Sequence, residues 1–174
     1  MNKIIDTINH FTVVRLDKDF AKKHIDILIT LASQIPLVSY DAENILADSK
    51  KGRKFIGKWI HSLAVMDGDK AIACIFAYER KAELSGYYSR NFLYISELAV
   101  DKQYQGQGIA KKLVTIFLEK NKTFKFLDGK IQYAVQTNEA PWNHNVHKLY
   151  LSLGFKQTGE KAYDNRTDMI FTKN

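Results

Sequence analysis

Apolar residues along the chain change period several times, and each change marks an element. Residues 12–16 alternate as a first strand, and residues 19–33 place Phe20, His24, Ile27, Leu28 and Leu31 on one face of an amphipathic helix. On that face His24 reads as a packed histidine rather than a catalytic one. Another helix is expected near residues 41–49. Residues 59–66 and 70–80 are apolar enough for strands, and the Asp67-Gly68-Asp69 turn between them suits a hairpin. A polar loop, 81–90, leads to a strand at 95–100 that carries Glu97 among apolar neighbours. From Ile109 the period changes to helical, with Ile109, Leu113, Ile116 and Phe117 on one face. After a loop closed by Asp128-Gly129, residues 131–136 alternate as a strand. A helix around Tyr150, a strand from Phe155 and a terminal strand near 169–172 complete the chain.

A long antiparallel meander followed by β-α-β-α-β predicts an α/β fold of the mixed α+β kind. It has a central, mostly antiparallel twisted sheet flanked by helices. At 174 residues the chain is most simply one domain, 1–174, able to bury roughly 70% of the surface its unfolded form exposes. Cys74 is the single cysteine and lies in an apolar run, so it reads as a buried strand thiol. No apolar stretch approaches the roughly 20 residues of a membrane-spanning helix, and the first residues lack a signal-peptide core. A cytoplasmic protein with no membrane partner is expected. The net charge of +7 raises the question of nucleic acid. Its lysines are dispersed, and the densest cluster, Lys50-Lys51-Gly52-Arg53-Lys54, has no interleaved aromatics for base stacking, so no nucleic-acid partner is expected. His144 and His147 have no partner ligands at metal spacing, and no metal is expected.

Candidate chemistry concentrates where the strand of Glu97 runs through Gln105-Gly106-Gln107-Gly108-Ile109-Ala110 into a helix. Glycines allow the main chain close to a ligand, and the first N–H groups of the helix, at its positive dipole end, make an anion site fit for a pyrophosphate. A dinucleotide fingerprint would need a third glycine, and a P-loop would need Gly-Lys-Ser/Thr; neither is here. The segment resembles the acyl-CoA-binding motif Gln/Arg-x-x-Gly-x-Gly/Ala of the GNAT superfamily of N-acyltransferases. The match is Gln105-x-x-Gly108-x-Ala110, preferred to the overlapping Gln103-x-x-Gly106-x-Gly108 because Ile109 then opens the helix. Downstream, Asn143-x-x-Val146-x-x-Leu149-Tyr150-x-x-Leu153-Gly154-Phe155 resembles the closing signature of the same family, with Val146 where alanine is usual. Val146 should slightly crowd its helix against a neighbour or the ligand.

The resemblance implies the GNAT acyl-CoA N-acyltransferase fold and direct transfer of acetyl from acetyl-CoA, as co-substrate, to an amine of a small molecule or peptide. It implies a bulged strand splayed from its neighbour, with pantetheine between them bonded to Leu98, Ala99 and Val100. One of those N–H groups would polarise the thioester oxygen. Gln105, Gly106, Gln107, Gly108, Ile109 and Ala110 would hold the pyrophosphate, with Lys111 and Lys112 adding charge. Asn138, just past the neighbouring strand, and Asn143 are polar contacts to the ligand or else a turn residue and a helix cap. Tyr150 carries over as the general acid for the departing thiolate, unless it is structural; its reference pKa of about 10 keeps it protonated at neutral pH. The attacking amine, with a pKa of about 10.4 in lysine-like compounds, needs a base or a water chain. Glu97 is the candidate base, the alternative being a solvent-facing or salt-bridged carboxylate. Acceptor choice falls to residues 39–55, 81–92 and 163–167, where Asp41, Glu43 and Asp48 could form a local acidic pocket. His147 lies one helical turn before Tyr150, exposed or near the substrate. Trp142 either anchors the loop after Pro141 or forms an aromatic rim. The rival function is a non-catalytic acyl-CoA-binding sensor or interaction module, and a homodimer is compatible because many relatives dimerise.

Overall fold

Both faces of the central strands are apolar, which forces helices onto each side of the sheet. The computed structural model describes residues 4–35, 39–49, 55–81, 91–126 and 132–174. The Lys50 to Lys54 cluster, the Asp128-Gly129 loop and most of the 81–92 loop lie outside the described residues. The strands are β1 Ile4–Ile8, β2 Phe11–Arg15, β3 Phe55–Ile56, β4 Leu63–Asp67, β5 Lys70–Arg80, β6 Phe92–Val100, β7 Tyr133–Asn138, β8 Lys156–Tyr163 and β9 Arg166–Lys173. They form one sheet in the order β1-β2-β4-β5-β6-β7-β9-β8, with the short β3 also paired to β5. Every pairing is antiparallel except β6 with β7.

Helices α1 Lys18–Lys23, α2 Ile25–Ala32 and α3 Ala42–Leu46 cover one face, burying Phe20, Leu28, Leu31 and Ile45 against Cys74, Phe76 and Ala99. Helices α5 Ile109–Asn121 and α6 His144–Ser152 cover the other, where Leu113, Phe117 and Tyr150 meet Val65, Ile75 and Ile95. The short α4 Lys58–His61 precedes β4. Cys74 is fully buried on the α2 face, and burial first, then the Glu97 carboxylate, pushes its thiol up to about 12. Such a thiol is inert at neutral pH.

Several elements depart from the pattern-based expectation. β1 precedes the expected first strand and pairs with it through a two-residue turn in which Asn9 has φ 57°. The helix expected at 19–33 is two, broken at His24, whose N–H bonds Phe20 O and whose ring lies tilted against that of Phe20 with centroids 4.4 Å apart. With neither glycine nor proline at the break, the apolar period runs through it unmarked. Residues 59–61, the start of the strand expected at 59–66, are helical instead. Lys58 is drawn inside because its Nζ donates to the carbonyls of Asn44, Ile45 and Ala47 at the C-terminal end of α3. β7 runs on to include Asn138.

α5 sets the position of the glycine turn before it, so its packing is the sensitive point. Replacing fully buried Leu113 with alanine should cost about 3 kcal/mol by urea unfolding, whereas exposed Thr115→Ala should change stability by only about 0.5 kcal/mol or less.

Candidate functional site

One irregularity opens the sheet. β5 and β6 pair as Phe76 with Glu97 and then Ala77 with Ile95, so Ser96 is an extra residue bulged out of the ladder. On its other side β6 pairs with β7 only from Leu93–Tyr133 to Ile95–Val135. Beyond that, β6 runs on with β5 and β7 with β9, and the two parallel strands are unlinked in the ladder. A cavity of about 520 Å³ fills the space between them. Of the expected site residues, Glu97, Leu98, Ala99, Val100, Gln105, Asn138, Asn143 and Tyr150 line it, and Val146 does so too.

Glu97 and Tyr150 reach the cavity from opposite faces. Glu97 sits beside Phe76 on the α2 face and is 3% exposed. Its Oε1 accepts a hydrogen bond from the Tyr40 hydroxyl and another from Ser96 Oγ at 2.5 Å. A solvent-facing carboxylate is therefore excluded. Burial, then the Glu97 charge and hydrogen bond, drives the Tyr40 hydroxyl far above its ordinary range, so it stays a donor. Tyr150, 1% exposed, packs its ring on Phe155 at 5.2 Å and Phe171 at 6.3 Å. Burial raises its hydroxyl as well, which keeps it protonated at neutral and alkaline pH.

At the next corner, Asp101 and Gln105 shape the glycine turn: Asp101 Oδ1 accepts from Gln103 N, and Gln105 Nε2 donates to Val100 O at 3.0 Å. Gly106 and Gly108 take φ of +78° and +75°, and Gly108 is the N-cap of α5. A Cβ at either would meet nothing within 4 Å, so the space before them is open. The turn lies outside the cavity lining except for Gln105. Ile109 faces the core at 1% exposure, so its side chain is no ligand contact and only its N–H is available. Ala110 is half-buried against the α5 core and Gln107 is exposed. Lys112 reaches Asn9 Oδ1, and Lys111 is exposed.

The β7 end is braced by its own chain. Asn138 Oδ1 accepts from Ala140 N at 2.7 Å, while Asn138 O accepts from Asn143 Nδ2 at 2.9 Å and from His147 Nε2 at 3.0 Å. Asn138, the last residue of β7, thus spends its Oδ1 on the turn that follows, and its side-chain N–H groups lie beside the cavity. Asn143 ties α6 to β7 without capping the helix by its side chain. His147 is half-buried and engaged by Asn138 O, which corrects its reading as solvent-exposed. Trp142, 51% exposed, stands on the cavity rim rather than anchoring a loop.

Sequence reasoning missed Tyr40, Ser96, Gln34 and Thr137. All four line the cavity. Tyr40 lies 57 residues from the carboxylate it bonds, and nothing local to either residue signals the pair. Thr137 Oγ1 and Gln34 Oε1 are buried polar atoms with no partner, and a ligand in the cavity would satisfy them. At the rim Asp168, buried, pairs with Arg166, whose Nε lies 3.1 Å from Oδ1. Among the described residues no cluster of His, Cys, Asp or Glu could hold a metal, and no helix is long and apolar enough to cross a membrane.

Comparison with known proteins agrees with this geometry. The family model described as acetyltransferase (GNAT) domain matches residues 58–157. No curated protein matches the chain. Among solved structures, the ribosomal-protein-S18-alanine N-acetyltransferase of Escherichia coli is similar over 93% of this chain and 92% of its own, at 16% identity and a TM-score of 0.64. Arabidopsis thaliana NAA60 in complex with acetyl-CoA is similar over 94% of this chain and 98% of its own, at 16% identity and a TM-score of 0.69. Arabidopsis thaliana Naa50 in complex with the bisubstrate analogue CoA-Ac-MVNAL is similar over the same 94% and 98%, at 17% identity and a TM-score of 0.67. At these identities the likeness establishes the fold.

Because a Cβ at Gly108 would meet open space, Gly108→Ala isolates the backbone cost of a left-handed residue. It should lower stability by about 1 kcal/mol in urea unfolding without disturbing the core.

Proposed function

Because the chain belongs to the GNAT acetyltransferase family and is an acetyl-CoA-dependent acetyltransferase, we propose that it transfers acetyl directly to a primary amine of a small molecule or peptide. Tyr150 is the general acid and Glu97 the base. The observation that carries this reading is the opening of β6 from β7 at the Ser96 bulge, with Glu97 on one side and Tyr150 on the other.

The residues present fit acetyl-CoA. The cleft between two unlinked strands suits the extended pantetheine arm, with main-chain groups of Leu98, Ala99 and Val100 on one side and Thr137 Oγ1 and the Asn138 amide on the other. The free N–H groups at the start of α5, approached through Gly106 and Gly108, suit the pyrophosphate, to which Gln107, Ile109 and Ala110 would contribute only backbone. Bound there, acetyl-CoA supplies an activated acyl carbon and a thiolate leaving group.

Glu97 removes the proton that the attacking nitrogen must shed. A carboxylate that accepts from the Tyr40 and Ser96 hydroxyls is fixed in orientation beside the cleft in which the amine would sit. A main-chain N–H of β6 stabilises the oxygen on which negative charge develops. Tyr150 donates to the sulfur as the carbon–sulfur bond breaks. Burial disfavours a free phenolate, so its hydroxyl acts first as a hydrogen-bond donor and gives up the proton only as charge arrives on sulfur.

Titration calorimetry with acetyl-CoA and thiol release against an amine panel test the reading. Tyr150→Phe should lower kcat by about 100-fold while the acetyl-CoA Kd stays within about twofold. Unchanged turnover would retire the acid role. Glu97→Gln should slow turnover most at low pH, where the free amine, with a pKa of about 10.4, is scarcest. A small loss independent of pH would assign the base elsewhere.

A further inference from the structure

Between Gln105 and Ile109 the glycine turn carries little that could fix its shape. Gly106 and Gly108 have positive φ, a Cβ at either would meet nothing within 4 Å, and Gln107 between them is exposed. Such a segment loses much conformational freedom when a ligand orders it, so its shape in the free protein is set from its two ends. Downstream, Ile109 and Leu113 bury the start of α5 in the core. Upstream lies a short 3-10 turn, Lys102–Tyr104, and its anchors come from a distant part of the chain.

Those anchors sit on the β4–β5 hairpin, where Asp67 and Lys70 face each other across the turn. Asp67 Oδ2 accepts from the Tyr104 hydroxyl at 2.9 Å, and Lys70 Nζ donates to Asp101 Oδ2 at 2.8 Å. Lys70 Nζ also lies 5.3 Å from the centre of the Tyr104 ring, which meets Phe11 of β2 edge to face with centroids 5.7 Å apart. Asp101 in turn accepts from Gln103 N through Oδ1, and its own N–H donates to Ile72 O at 2.8 Å. The hairpin thus clasps the 3-10 turn twice, carboxylate to phenol and ammonium to carboxylate. Lys70 first, then the Gln103 N–H, holds the Asp101 carboxyl below the usual carboxylate range, so this ion pair is charged at neutral pH.

We propose that Tyr104 with Asp67, and Lys70 with Asp101, are positioning residues for acetyl-CoA: they hold the glycine turn in the shape that receives the pyrophosphate before the ligand arrives. The inference rests on the pyrophosphate lying at this turn. All four residues are outside the lining of the cleft and act through the backbone of 105–110. A turn already in place spares the ligand the cost of ordering it, so the clasp governs affinity and leaves the bond-making step to the groups in the cleft. The two halves differ in weight. Tyr104, Asp67 and Asp101 are half-buried, whereas Lys70 is exposed, and an exposed ion pair contributes less than a partly buried hydrogen bond to a carboxylate.

Calorimetric titration would compare acetyl-CoA with S-acetylpantetheine, which keeps the thioester and the pantetheine arm but has no pyrophosphate. Tyr104→Phe removes one hydroxyl and keeps the ring against Phe11 and the net charge, so the fold should persist. It should bind acetyl-CoA about threefold to fivefold more weakly and S-acetylpantetheine like wild type. Lys70→Gln should weaken acetyl-CoA by about twofold. Asp67→Asn, whose amide oxygen still accepts from the Tyr104 hydroxyl, should stay closer to wild type than Tyr104→Phe. In turnover with an amine from the panel, Tyr104→Phe should raise the KM for acetyl-CoA and leave kcat within about twofold. The proposal is overturned if Tyr104→Phe binds acetyl-CoA like wild type, if it lowers kcat without raising KM, or if both thioesters weaken by the same factor, which would make the clasp a general brace of the fold. Wild-type protein that binds the two thioesters equally would instead overturn the placing of the pyrophosphate at the turn, and the proposal would fall with it.

Discussion

Everything at the site follows from the loss of one ladder. Parallel pairing of β6 with β7 stops at Ile95–Val135 because Ser96 adds a residue to β6 and turns the strand away. A sheet normally closes on itself because unpaired N–H and C=O groups inside a protein are costly. Here the rest of the sheet tolerates the opening: β6 continues with β5 as far as Ala73–Val100, and β7 continues with β9 as far as Asn138–Asp168. Each strand keeps one neighbour, and the edges that face each other border the cavity.

The opening lies where both layers of helices end, so groups from both faces converge on it. α6 brings Tyr150 from one side, and the segment between α2 and α3 brings Tyr40 from the other. Burial then acts on each group differently. It holds the phenols of Tyr40 and Tyr150 in their protonated, donating form, and it leaves the Glu97 carboxylate dependent on the hydroxyls around it. The same economy governs the polar groups away from the cleft. His61, fully buried, has Nδ1 2.7 Å from Asn121 Oδ1 and Nε2 3.1 Å from Glu79 Oε1, which ties α4 to α5 and β5. Lys58 is satisfied by the end of α3. His61 lies in the stretch 59–66 whose apolar composition suggested a plain strand and Lys58 just before it, and both are inside because a backbone or side-chain acceptor waits there.

The sequence by itself determined the alternation of strands and helices, the Gln105 to Ala110 turn, the α6 signature and the place of Glu97 on the strand before that turn. Those features rest on local rules: side-chain period, glycine at positive φ, and helix ends that expose N–H groups. Even there, a break without glycine or proline at His24 and a first strand closed by Asn9 passed unseen. Only the tertiary structure decided what surrounds the chemistry. Tyr40 bonds a carboxylate 57 positions away, Ser96 becomes a bulge only by its pairing with β5, and Thr137 and Gln34 are orphaned only because two strands part. Burial and long-range pairing belong to the packed chain as a whole, and no window of residues contains them.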